Sequence, residues 1–171
     1  GLESAADADP VLVSRWGEDA TTVVARLRLP AERVVAVDFS GAERGVLTLM
    51  TPPVVSTALQ PVAEWLVAVG YRVEIVQDSP GFVAQRILAM IVNLGCEMAQ
   101  TGVGSPADIE TAMKLGLNYP FGPLELGDRI GAGKLLETLE NLQAVTGSDR
   151  YRPSLWLRRR AFLDLPLQAR P

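Results

Sequence analysis

The chain has 171 residues, enough for one domain or two small ones, and its 48% hydrophobic and 21% charged residues are an ordinary globular composition. A net charge of −4 argues against a nucleic-acid backbone as partner, and zero histidines with one cysteine argue against a transition-metal site. No apolar run approaches the roughly 20 residues that a membrane span needs and no signal peptide is recognisable, so a cytoplasmic setting is the expectation.

The early part of the chain alternates strand and helix. Pro10 to Ser14 is a short apolar run suited to a buried strand. Glu18 to Leu29 is predicted as a helix, with Asp19 favourable at its start and Pro30 stopping it. Arg33 to Phe39 and Val46 to Met50 are two further strands, the second bounded by Gly45 and Pro52-Pro53. Val55, Leu59, Val62, Leu66 and Val69 share one helical face, Gly70 sits where a C-cap belongs, and Tyr71 to Val76 returns as a fourth strand. This is an open α/β layer, too short for a full dinucleotide fold and without a G-x-G-x-x-G turn to cradle phosphate.

From Ser79 onward the strand signals stop. Ala84, Ile87, Leu88, Ile91, Leu94 and Met98 predict the apolar face of a long helix ending near Gly102. Ser105, Pro106 and Asp108 open another helix with a capping box, and Gly116 should stop it. Ile130, Leu135, Leu139, Leu142 and Val145 predict a third helix ending at Gly147. Pro153-Ser154 introduces a last one, with Leu155, Trp156 and Phe162 available for packing. Arg158-Arg159-Arg160 reads as a solvated face of that helix, and Cys96 as a buried structural thiol, because no histidine is available to activate it. Trp65, Tyr151 and Trp156 read as packing or interface anchors. Glu125 and Asp128 read as dipole or cap residues at a helix start. The expected organisation is an α/β subdomain over 1–77 and an all-helical domain over 78–171.

Four stretches of this chain, in order, resemble the C-terminal domain of the NAD-dependent 3-hydroxyacyl-CoA dehydrogenases. They are Asp78-Ser79-Pro80-Gly81-Phe82, the S-P-A-D-I-E-T-A-M-K-L-G run from Ser105 to Gly116, the N-Y-P-F-G-P-L-E-L run from Asn118 to Leu126, and Arg150 to Ser154. The resemblance implies a truncated Rossmann-like α/β layer followed by the family's helical domain, which closes over acyl-CoA and supplies much of a homodimer interface. It also implies a histidine base at the end of a strand, where Asp38 stands here. The orienting glutamate is replaced by the acid-free stretch Leu47 to Thr51. Gln85 stands where the family has an asparagine, and the segment of the family's serine is matched only loosely, around Ser14 to Thr22.

Oxidising a 3-hydroxyl requires a base to take the hydroxyl proton while hydride leaves for nicotinamide. An aspartate, with a reference pKa of about 3.9, would need strong desolvation for that role. The resemblance therefore implies no catalytic residue, with Asp38 and Gln85 as degenerate family positions, and no cofactor bound by this chain alone, NAD serving the parent enzyme. Gln85, Tyr119, Pro120, Gly122 and Pro123 remain as residues that could face substrate, the last four also serving as a rigid connecting turn.

Some long bacterial members, of the 3-hydroxybutyryl-CoA and 3-hydroxyadipyl-CoA type in aromatic and fatty-acid catabolism, carry such a degenerate second copy. This chain, which starts at Gly1 rather than methionine, resembles that copy as a piece of something longer. Its expected partners are the catalytic half or a second subunit, with the parent's acyl-CoA, and with homodimer or higher self-association. Two other readings stay open: a free-standing acyl-CoA-binding module, and a residual dehydrogenase with Asp38 as an unusual base.

Overall fold

The computed structural model describes residues 9–169, so the outermost ends of both expected domains lie outside the described residues. The chain divides into two compact units between Gln85 and Arg86. In the first, strands β1 (Val11–Val13), β2 (Val34–Asp38), β3 (Val46–Met50) and β4 (Arg72–Ile75) form one sheet in sequential order. Helix α1 (Ala20–Leu27) carries the chain back from β1 so that β2 pairs parallel to it, Val11 opposite Val34. A tight turn closed by Gly45 at φ 70 reverses the chain, and β3 runs antiparallel to β2 with Val37 opposite Leu49. Helix α2 (Leu59–Ala68) is the second crossover and returns β4 parallel to β3.

β2 is buried along its whole length, which is why its sequence is a continuous apolar run rather than an alternating one. Val35 and Val37 pack with Leu47, Leu49, Val62 and Leu66 in one cluster, and Ala36 packs with Ala20, Met50 and Phe82 in another. Phe82 explains why the division falls later than 77/78. The Pro80-Gly81 turn carries it, at φ 47, into the core of the α/β unit.

Two helices differ from expectation in this unit. Helix α2 starts at Leu59, where the Ser56 hydroxyl accepts from the amides of Ala58 and Leu59. Val55 therefore lies before the helix, 89% exposed, and Val69 is an exposed cap residue. Val62 and Leu66 are buried as expected, and Ala58 and Ala63 complete the buried face in place of Val55 and Val69. Helix α1 ends short of Pro30, because Arg28 takes a left-handed conformation and its amide closes on Val24.

The second unit holds α3 (Ala84–Thr101, from Arg86 on), α4 (Pro106–Leu117), α5 (Pro123–Ile130), α6 (Ala132–Thr146) and α7 (Leu155–Leu163). Its core joins Ala89, Val92, Cys96, Leu124, Leu135, Leu139, Leu142, Trp156, Leu157 and Leu167. Helix α3 turns inward a different face from the one its large apolar residues suggest. Ala89, Val92, Gly95 and Cys96 are buried, whereas Ile87 and Leu94 are 50% and 61% exposed. Close approach is the reason: a Cβ on Gly95 would lie 2.6 Å from the Pro123 ring at the start of α5, so only small residues fit there.

The Ser105–Asp108 capping box forms on α4, but Gly116 lies inside that helix and Asn118, at φ 54, ends it. The helix expected from Ile130 is two helices, broken at Gly131 with φ 105. On α7 only Trp156 of the three named apolar residues packs inward, while Leu155 and Phe162 are exposed. The arginine run is not uniformly solvated either. Arg160 is buried against the Trp156 ring, 3.3 Å from its centroid, and donates to the Ala169 carbonyl, while Arg158 pairs with Glu140 at 2.8 Å. Among the described residues no helix is long and apolar enough to cross a membrane, and no cluster of histidine, cysteine and acidic side chains could hold a metal.

Gly95→Ala is expected to destabilise the helical unit by about 1–3 kcal/mol through overpacking. Gly116→Ala, a helix-interior position with open space around it, should instead stabilise by about 0.5–1 kcal/mol. Urea denaturation followed by far-ultraviolet circular dichroism distinguishes them, and effects of one sign at both positions would contradict the close approach.

Candidate functional site

The first unit concentrates its polar side chains at the carboxyl end of the parallel pair β1–β2. Asp38 is the last residue of β2 and only 2% exposed, a burial that a carboxylate tolerates only with donors around it. Three donors are supplied. Ser40 gives its amide at 2.9 Å to Oδ1 and its hydroxyl at 2.7 Å to Oδ2, a local turn typical of aspartate. Gln85, 1% exposed, gives its Nε2 at 3.0 Å to Oδ1. The other end of the same amide accepts the Gly17 N–H at 3.0 Å. Gln85 thus bridges the strand end and the β1–α1 loop, with both ends of its side chain used. A base for a substrate hydroxyl needs an accessible oxygen within about 3.2 Å of the proton. Asp38 offers a buried carboxylate already accepting from its own unit.

The adjoining helix start is equally occupied. Thr22 N donates to Asp19 Oδ1 at 2.7 Å, Ala20 N to Asp78 Oδ1 at 2.7 Å, and Thr21 N to Asp78 Oδ2 at 2.9 Å.

Tyr119, Pro120, Gly122 and Pro123 lie in the second unit, on the α4–α5 turn. Pro120 is exposed and Tyr119 half-buried, while Gly122 and Pro123 are buried in helix packing. A side chain missed by pattern reading explains Gly122. The buried Glu110 of α4 aims its carboxylate at the first turn of α5, accepting from Leu124 N at 2.7 Å and Glu125 N at 3.3 Å. A Cβ on Gly122 would stand 2.1 Å from that carboxylate. The signal for it in the sequence was slight: an acid beside Ile109, sharing its helix face with Met113 and Leu117 but also with Lys114.

Glu125 pairs with Lys114 at 2.6 Å and Arg129 at 2.9 Å, and these two, Lys114 first, hold its carboxyl below the usual carboxylate range. Asp128 accepts the Leu167 amide at 2.6 Å and so braces the last part of the chain. Neither acid faces a partner acid in the manner of a proton-transfer pair. Burial pushes the Cys96 thiol from its ordinary value of 9.0 up to about 12, which leaves it un-ionised and unreactive near neutral pH.

Comparison with known proteins covers both units. A family model described as 3-hydroxyacyl-CoA dehydrogenase, C-terminal domain, matches residues 81–164. The chain is 39% identical to the 3-hydroxyadipyl-CoA dehydrogenase of Escherichia coli K12 over 91% of its own length, and spans 32% of that relative's length. Its fold is similar to a crystal structure of 3-hydroxybutyryl-CoA dehydrogenase from the same organism, with a TM-score of 0.79 at 39% identity over 91% of this chain and 32% of that one. It is also similar to (S)-3-hydroxybutyryl-CoA dehydrogenase from Ralstonia eutropha, with a TM-score of 0.81 at 28% identity over 91% of this chain and 56% of that one. The truncated Rossmann-like layer and the helical domain implied by the motifs are both present.

Gln85→Ala would strand the Gly17 amide and remove one donor from buried Asp38, at a cost of about 1–3 kcal/mol in chemical denaturation. No loss of stability would show the bridge to be dispensable. For Cys96, the stabilisation that comes from keeping the thiol protonated is intact below pH 9 and is lost as pH rises towards 12, because the unfolded chain ionises first. Cys96→Ala should flatten that alkaline decline, and an aromatic disulfide reagent at pH 8 should label the wild-type thiol only on unfolding.

Proposed function

Because the chain belongs to the 3-hydroxyacyl-CoA dehydrogenase family, we propose that it is the non-catalytic C-terminal part of an NAD-dependent enzyme converting 3-hydroxyacyl-CoA to 3-oxoacyl-CoA. In this reading it is a degenerate second copy of the dehydrogenase unit. Its helical unit serves association with the catalytic half or a second subunit, and helps to complete the acyl-CoA cleft.

The observation that carries the proposal is the closed Asp38–Gln85 pair. At the strand end where the resemblance puts a histidine base, the chain has a carboxylate buried to 2% exposure and tied to Gln85 and Ser40. Where the family's asparagine would stand, an amide spends both its ends inside the unit. The residues present do not fit the family's dinucleotide. The sequence holds no G-x-G-x-x-G loop, and the first-turn amides of α1 are taken by Asp19 and Asp78. NAD belongs in this reading to the catalytic half, and the residues of this chain carry no proton or hydride step.

The association role is supported by the outer face of α3. Ile87 and Leu94 stand half or more exposed on it. Beside them a shallow depression of about 440 Å³ is lined by the apolar Met90, Ile91, Leu94 and Pro153 and by charges of both signs, Glu97, Asp149, Arg150 and Arg152. Apolar side chains rimmed by polar and charged groups have the composition of a protein contact.

The purified chain is expected to show no acetoacetyl-CoA-dependent oxidation of NADH. Measurable turnover abolished by Asp38→Asn would overturn the non-catalytic reading. In sedimentation velocity the chain should self-associate, and the double change Ile87→Asp, Leu94→Asp should weaken association roughly tenfold or more. Tight binding of acetoacetyl-CoA by the chain alone would replace the scaffold with an independent acyl-CoA-binding module.

A further inference from the structure

The turn between α5 and α6 opens onto a cavity of about 530 Å³ in the helical unit, whose walls include Asp128, Gly131, Ala132, Gly133, Arg160 and Asp164. Three features of that cavity are not accounted for by packing. The first is Arg160, which is 9% exposed, and a charge so far from water is ordinarily paired. Among the described residues it has no ion pair. It rests on the Trp156 ring and gives one bond to the Ala169 carbonyl, while its Nε is buried without a hydrogen-bond partner. Burial, only partly offset by Cys96 and Asp128, holds its guanidinium below the ordinary arginine range. The second is the start of α6, a helix of 15 residues with no side-chain cap. The N–H groups of its first turn, at Ala132 and Gly133, have no acceptor within the helix and belong to the same cavity wall. The third is Gly133 itself. Its φ is not positive, and a Cβ there would meet nothing within 4 Å, so neither backbone nor packing demands glycine. What the missing side chain does provide is close access to the backbone.

We propose that this cavity binds the carboxylate of a small organic acid, held by the Arg160 guanidinium and the Ala132 and Gly133 amides. A helix start and a buried guanidinium both call for negative charge, and here they line one space. The acids on the wall set how much charge the ligand carries. Asp128 already accepts from the Leu167 and Gln168 amides, and Asp164 stands exposed at the end of α7. With two acids beside one arginine, a dianion such as phosphate is opposed, whereas a single negative charge meets the cation and the helix dipole. The site lies wholly within the helical unit. It is independent of the scaffold reading, which draws on Asp38, Gln85 and the outer face of α3.

The test titrates the full chain with sodium acetate at constant ionic strength, chloride being the balancing anion, and follows it by proton–nitrogen NMR. The Ala132 and Gly133 amides and the Arg160 Nε–H should shift together along one saturable curve in the millimolar range. At ten times the dissociation constant the thermal midpoint should rise by roughly 3–6 °C. Inorganic phosphate should bind at least about tenfold more weakly. Arg160→Met keeps an apolar stem, removes the charge and should abolish the shifts. Gly133→Val leaves Arg160 in place, fills the open space and should weaken acetate binding about tenfold or more. Should Arg160→Met fail to fold, the valine variant decides alone. Shifts that stay linear in acetate would overturn the proposal. So would saturable shifts that persist in Gly133→Val, or phosphate bound as tightly as acetate. None of these readings involves turnover, so failure here stays distinct from discovery of dehydrogenase activity.

Discussion

A buried carboxylate must be surrounded by donors, and the α/β unit is arranged around that requirement at Asp38. The strand that delivers it, β2, is buried on both faces, so the side chain at its end has little access to water. Leaving it unpaired would cost several kcal/mol, on the order of the stability of a small domain. Ser40 supplies two of the donors locally, and Gln85 supplies the third from the first turn of α3. For Gln85 to arrive there, the Pro80-Gly81-Phe82 turn has to deliver Phe82 into the same unit's core, which it does. Polar satisfaction and apolar burial therefore fix the same segment, and together they set where the first unit ends.

The same economy governs the helical unit. Glu110 reaches the start of α5 with its carboxylate, and Gly122 is the gap that lets it in. Gly95 lets the Pro123 ring approach α3. The proline at the first position of α5 thus preorganises the helix, needs no hydrogen-bond partner of its own, and fills a notch in a neighbour. Asp128 and the Trp156 indole then hold the backbone at Leu167 from two sides, Asp128 on the amide and the indole N–H on the carbonyl at 2.9 Å. Three of the acids in these contacts, Glu110, Asp128 and Asp38, resemble catalytic groups in a residue count. Each is bound to donors of its own unit, which accounts for its place in the fold.

Much of the fold was legible in the chain. The four strands fall within the expected stretches because runs such as Val34 to Asp38 are short, β-branched and bounded by turn residues. Ser105, Asp108, Gly147 and Ser154 act at helix ends as their chemistry dictates. The apolar faces of α2 and α3 were less legible. Periodicity identifies a helix but weighs large side chains too heavily when the neighbour approaches closely. On α3 the buried line runs through Ala89, Val92, Gly95 and Cys96, and the larger Ile87 and Leu94 face outward. Arg160 departs from the expected solvated face for a related reason: its guanidinium lies over an indole ring four residues back, an arrangement that a run of charges does not reveal.

By itself the sequence carried the family resemblance, because the D-S-P-G-F, S-P-A-D and Y-P-F-G-P stretches are local and each encodes a cap or a turn within a few residues. It also determined what is missing, since a histidine or a glycine loop that is absent from the chain cannot be supplied by folding. Only the tertiary structure decided what surrounds Asp38, Gln85 and Asp78. Asp38 and Gln85 are 47 residues apart and bond directly, and Asp78 reaches the amide of Ala20 from 58 residues away. Contacts at such separations have no periodicity to announce them. They exist because a buried charge and a helix start each need a partner, and the folded chain brings Gln85 to the one and Asp78 to the other.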